Sequence, residues 1–157
     1  MILKNPLSKS LWGRFYQLLC LCVLTVGLSG CSLLSVISDY DPESLKQMQV
    51  INKKIDRMFI TLQYSDKKER QFAKYKHAYI DIAVEINALK SMQMARASNE
   101  LTMQQVDTLV KFWQQERVAH QKKDTVSDII IKLHHSQYSR LMMAMIKGEE
   151  AKPQDAK

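Results

Sequence analysis

Glu116 and His120 lie four residues apart, one helical turn, so a helix would set a carboxylate and an imidazole on one face, as a metal site requires. His134 and His135 follow, with Met142, Met143 and Met145 close behind, a set of imidazoles and thioethers soft enough for copper(I). Two-metal sites in helical bundles draw Glu-x-x-His from each of two helices; here the spacing is four and there is no second copy. Methionines also fill irregular gaps between helices. His120, His134 and His135 are the metal-ligand candidates; the expectation is that His134 is a hydrogen-bonded core position, with His135 at the edge of the same arc, that Glu116 and His120 are a surface or interhelical pair, and that there is no cofactor. Asp81 and Glu85, again one turn apart, place two carboxylates together as acid–base chemistry needs. Lys74 on the same helical strip would ease their repulsion and leave an ordinary solvated face. No zinc-protease helix motif, phosphate loop or nucleophile elbow is present, and four glycines offer few loops on which to build an active site. Enzymatic activity is not expected.

Cys31 carries a different chemistry. Met1 to Arg14 holds Lys4, Lys9 and Arg14 with no acid, and Phe15 to Gly27 is apolar apart from Gln17 and Thr25. Leu28-Ser29-Gly30-Cys31 then closes the run. A basic segment, an apolar run too short to span a bilayer, and small residues before a cysteine resemble the signal peptide and lipobox of bacterial lipoprotein precursors. The resemblance implies that the Cys31 sulfur takes a diacylglyceryl group, that the Gly30–Cys31 bond is cut, and that the new amine is acylated. Membrane lipid is then a partner through Cys31, and the covalent lipid is the only attached group expected. By similarity to sorting rules in enteric bacteria, Ser32 after the cysteine implies delivery to the outer membrane, facing the periplasm.

Removing residues 1–30 from the 157 leaves 127, enough for one domain with its own core, and lowers the formal charge from +7 to +4. Nucleic acid is not expected as a partner at that charge in an exported chain. Cys20 and Cys22 fall in the signal, so the remaining domain has no disulfide or free thiol.

Residues 31–41 read as lipidated cysteine and tether, 42–148 as a helical bundle and 149–157 as a disordered polar tail. Asp41-Pro42-Glu43 is a helix start, with a capping carboxylate, a proline at the first position and an acid at the positive end of the dipole. Met48, Ile51, Ile55, Met58, Phe59 and Leu62 share one arc of that helix. Ser65 or Asp66, with Glu69, is the expected cap of a second helix running to about Arg96. It carries Phe72, Tyr75, Tyr79, Ile82, Ile86 and Leu89, and its mostly apolar middle predicts the centre of the bundle. After Ala97-Ser98-Asn99-Glu100, Thr102 and Gln105 form a capping box and Leu101 and Val106 a hydrophobic staple. The third stripe is Val106, Leu109, Val110 and Trp113, continuing into Arg117 and His120. Asp124 or Thr125, with Asp128, caps a fourth helix, unless one helix bends near Lys123. That last segment packs Val126, Ile130, Leu133, Tyr138, Leu141, Ala144 and Met145, with His134 in its apolar arc, and Gly148 ends it as a left-handed cap. The fold class is all-α, an antiparallel bundle of three or four helices after an N-terminal lipoprotein signal peptide.

From Lys53 to Lys76, eight basic residues (Lys53, Lys54, Arg57, Lys67, Lys68, Arg70, Lys74, Lys76) face three acids, a local charge of +5. They predict a basic corner suited to an acidic envelope protein or an anionic envelope polymer. Leu101-Thr102-Met103-Gln104-Gln105 is similar to the Leu-Thr-x-x-Gln motif of the Spy and CpxP type of periplasmic helical chaperones, which implies a client-binding helical hairpin, usually with two such motifs. The chain has one copy, which the capping box and staple account for by themselves. The functional expectation is a lipid-anchored, non-enzymatic binding or structural component of the cell envelope. The alternative is a periplasmic metal- or stress-sensing, chaperone-like helical module.

Overall fold

Asp41 begins the first helix as the sequence predicts: its carboxylate accepts the backbone N–H groups of Glu43 and Ser44, and Pro42 occupies the first turn. The structure, a computed structural model, describes residues 37–154. Among these, four α-helices run α1 Pro42–Tyr64, α2 Phe72–Met94, α3 Glu100–Lys123 and α4 Asp128–Glu150, with a short 3-10 turn Lys67–Glu69 between the first two. Short connections make neighbours antiparallel. α1 packs on α2 and α4, α2 packs on α3, and α3 closes the ring against α4 with the lightest contact. The all-α bundle is therefore four-helical, with α3 and α4 separate. No helix among the described residues is long and apolar enough to cross a membrane.

The core follows the stripes. All six predicted positions of α1 are buried, as are Tyr75, Tyr79, Ile82, Ile86 and Leu89 of α2, with Phe72 packed at the edge. Aromatic rings link all four helices in one run. His135 stacks on Phe59, Phe59 meets Tyr138, Tyr138 meets Trp113 edge-on, and Trp113 meets Tyr79, with centroids 5.2–5.6 Å apart. Each such contact adds about 0.5–1.5 kcal/mol beyond area burial.

Several expectations are corrected. α2 is one wall of a ring and not its centre, since Ile80 and Val84 face outward. It starts at Phe72 because Arg70 is drawn inward and the chain needs the 3-10 turn to place it; Asp66 makes no side-chain cap. α3 begins at Glu100, so Thr102 falls inside the helix and Leu101 is exposed, and neither capping box nor staple forms. Ser98 and Asp124 take the left-handed conformation that breaks the chain before and after α3. The α4 cap is Ser127, whose hydroxyl accepts the Ile130 N–H. α4 buries Ile131 and Met142, while Leu133 and Ala144 point to solvent. Gly148 lies within the helix, which runs on to Glu150, and the described part of the tail expected to be disordered, as far as residue 154, docks instead: Glu149 and Lys152 are buried.

Candidate functional site

His120 sits on the inner face of α3 and is 2% exposed. Its Nε2 lies 2.8 Å from the Arg70 carbonyl, which can only accept, so Nε2–H donates. In the neutral ring Nδ1 then accepts, and the Tyr79 hydroxyl donates to it at 3.0 Å. Burial pushes the Tyr79 hydroxyl far above its ordinary range and keeps it a donor. Phe72, Tyr75 and Tyr79 surround the imidazole. Both ring nitrogens are thus engaged in tying α3 to α2 and to the chain before it.

Glu116, one turn back, does not turn toward His120. Its Oε2 hydrogen-bonds Nδ1 of His134, across the seam between α3 and α4. Burial pushes the Glu116 carboxyl above its ordinary range, opposed by the neighbouring His134 and His120. The pair opens on a cleft of about 190 Å³ walled by Phe112, Ala119, Gln137 and Tyr138. His135 points the other way, toward α1, where its Nε2 meets Asp56 Oδ1 at 2.9 Å. The three candidate histidines are therefore dispersed to three seams. Among the described residues no three His, Cys, Asp or Glu side chains gather as a metal site. Met142 and Met145 are core, and Met143 is exposed.

The basic corner also resolves into separate contacts. Arg70 is 4% exposed and donates to the carbonyls of Ser65 and Val126 and, at 2.6 Å, to Asp128 Oδ1. That guanidinium holds the Asp128 carboxyl below the usual range, and Lys67 approaches the same acid at 3.7 Å. Lys74 pairs with Glu69, not with Asp81 or Glu85. Those two carboxylates are bridged by Lys54, at 2.9 and 2.5 Å. Hydrogen bonds from Lys54 and then Gln47 lower the Glu85 carboxyl, and the two acids raise the Lys54 ammonium. Lys53, Arg57, Lys68 and Lys76 remain exposed with no ion pair among the described residues.

A polar cluster that the sequence did not single out occupies the opposite end of the bundle. The Glu149 side chain is fully buried; its Oε1 accepts from the Asp41 backbone N–H at 2.9 Å and from Arg96 Nη1 at 3.1 Å. Lys152 Nζ lies 2.6 Å from Oε2 at an angle too poor for a hydrogen bond, so that oxygen has an ion-pair partner but no well-directed donor. Lys152 also donates to Asn99 Oδ1, which receives the Ser38 hydroxyl as well. Asn99 Nδ2 donates to Gln93, and Gln93 Nε2 to Ser44 Oγ. Arg96 reaches the Asp39 carbonyl. Backbone bonds from Ser38 N–H to Ser98 and from Tyr40 N–H to Pro153, both 2.8 Å, complete a clasp around the arriving and departing chain. The signal was legible: Trp113, Glu116 and His120 continue the three-four spacing of Val106 and Leu109, and Glu149 continues that of Tyr138, Met142 and Met145.

Gly30, Cys31 and the signal segment 1–30 lie outside the described residues, as does the tether as far as residue 36. Comparison with known proteins finds no family model, no curated protein and no solved structure that matches the chain.

Proposed function

We propose that this chain is a lipoprotein precursor whose processed form, anchored by lipid on Cys31, is a non-enzymatic binding or structural component of the cell envelope. The observation that carries the reading is the order of basic segment, apolar run and Leu28-Ser29-Gly30-Cys31. The serine after the cysteine favours the periplasmic face of the outer membrane. Two or more acyl chains make such an anchor stable where one is marginal.

The clasp supports the reading from the other side. Ser38, seven residues after Cys31, is already bonded to the bundle through its backbone and its hydroxyl. Seven residue steps separate Cys31 from Ser38, and at about 3.3–3.6 Å each they span at most roughly 25 Å. A lipid on Cys31 would hold the clasp end close to the bilayer and leave the Arg70 end as the part presented to other envelope components.

Intact mass of the membrane fraction from a native host tests the anchor. The expected species begins at residue 31 and carries acyl chains, and Cys31→Ser loses it. A soluble, unlipidated product or an uncut precursor in the wild type would overturn both anchor and location.

A further inference from the structure

An open trough of about 320 Å³ runs between α2 and α3. Tyr79, Ile80, Ala83 and Val84 make its apolar surface, and Ile80 and Val84 are 48% and 60% exposed. Its floor is fixed from beneath, because the Tyr79 carbonyl accepts the Trp113 indole N–H at 3.0 Å and the Tyr79 hydroxyl is held by His120. The trough is thus formed before anything occupies it.

Two cations stand on its rim, Lys76 from α2 and Arg117 from α3. No acid lines the trough, and neither cation has an ion-pair partner among the described residues; Arg117 is bonded only to the Gln121 amide oxygen. Lower on the same two helices the pattern is the reverse, with Lys90 paired to Asp107 at 2.7 Å. The bond between Tyr79 and Trp113 sets the antiparallel register. Lys76 and Arg117 both lie about one turn beyond it toward the Arg70 end, while Ile80, Ala83 and Val84 extend the other way. The trough therefore carries both its cations toward one end, beside Phe72 and Gln121, and an apolar run from Tyr79 to Val84 that ends at Asn87.

Charge selects the occupant: an anionic head answers the two cations that have no acid beside them, and an unbranched apolar chain answers the row of Ile80, Ala83 and Val84. We propose that this trough binds a fatty acid, its carboxylate between Lys76 and Arg117 and its chain along Ile80, Ala83 and Val84. The inference does not depend on lipidation of Cys31, since every residue it uses lies at Lys76 or later.

The test uses the full chain in phosphatidylcholine nanodiscs and two probes of equal length with a diazirine on the tail, a dodecanoic acid and a dodecyl trimethylammonium. The acid is expected to label the segment carrying Ile80 and Val84, with labelling competed by unlabelled dodecanoate. The ammonium probe should label it about tenfold less, as expected when two surface charge contacts change sign. Shortening the competitor should weaken competition about two- to fourfold per methylene. Lys76→Glu with Arg117→Glu, and separately Val84→Glu, should each lower acid labelling about tenfold with the melting temperature unchanged. Equal labelling by both probes, labelling confined to other segments, or labelling indifferent to the variants would overturn the proposal. The two-probe comparison uses wild-type protein, so a variant that misfolds leaves the decision intact.

Discussion

Asp124 ends one helix and begins another. It caps α3 at φ 51° and ψ 20°, and its Oδ1 accepts the backbone N–H of Phe72, the first residue of α2, at 2.8 Å. Gln71, the local cap position, makes no side-chain bond, so the orphan amide of α2 is satisfied from 52 residues away. Asp124→Ala should cost about 2 kcal/mol, combining a lost cap with a Cβ in the left-handed region that alanine tolerates less well. Asp124→Asn keeps an acceptor and that tolerance, and should cost under about 0.5 kcal/mol. Urea denaturation of both variants checks this; equal losses would show that the side-chain bond is not what matters.

Glu149 binds two cations inside the clasp. Removing it alone, as Glu149→Leu, leaves Arg96 and Lys152 without their acid and should cost about 3 kcal/mol. The triple change with Arg96→Leu and Lys152→Leu should recover most of that loss, because no buried charge is then left unpaired. Amide hydrogen exchange provides a second reading: Asp41 N–H, which donates to Glu149, should exchange faster in the single variant. Unchanged protection at Asp41 would count against the clasp.

Glu116 should make the bundle more stable toward acid within one pH window. Its carboxyl is raised above 4.5 in the folded chain, so the folded state holds the proton more tightly than the unfolded state. That contribution is fully present below the unfolded value and is lost as pH rises through the folded one. Glu116→Gln abolishes the titration while keeping an acceptor for His134. Denaturation measured in steps from about pH 4 to pH 7 should show the variant gaining on the wild type as pH rises. Parallel curves would refute the assignment.

Lys54 restrains two carboxylates that would otherwise repel across one turn of α2. Lys54→Ala should cost about 1 kcal/mol at low salt and much less in 1 M salt, as expected for partly exposed ion pairs. The Glu85 carboxyl is held below its ordinary value, so its share of that stability is present above pH 4.5 and lost as pH falls through the folded value. In the alanine variant this acid-side loss should flatten. Salt and pH titrations of the denaturation midpoint measure both effects.

The sequence made the helices legible and left their partners hidden. The stripes from Met48 to Leu62 and from Phe72 to Leu89 are properties of single helices, and periodicity reads them directly. Caps proved less legible, because Asn99 and Asp124 accept from groups far away in sequence, Ser38 and Lys152 for the one and Phe72 for the other, and local patterns such as Thr102 with Gln105 match a helix start without making one. The basic run misled for the same reason: counting charges from Lys53 to Lys76 places Arg70 on the surface, while Asp128 and two carbonyls hold it inside. Glu116 and Glu149 stand in the three-four register of their helices' apolar positions, and that register places both of them inside the bundle.

The chain arrives at Ser38 and departs at Pro153 from the same end of the bundle, side by side, joined by the Tyr40–Pro153 bond. A force applied between those points peels α1 from α4 as a zipper opens, bond by bond, rather than shearing whole helices past each other. Mechanical resistance is then concentrated in the first few contacts, and Arg96, touching Ser44, Asp39 and Glu149 together, acts as the rivet. Optical-tweezer pulling from positions 38 and 153 should show a low rupture force that falls further in Arg96→Leu, whereas with the handles at the Arg70 end the same substitution should change the rupture force little.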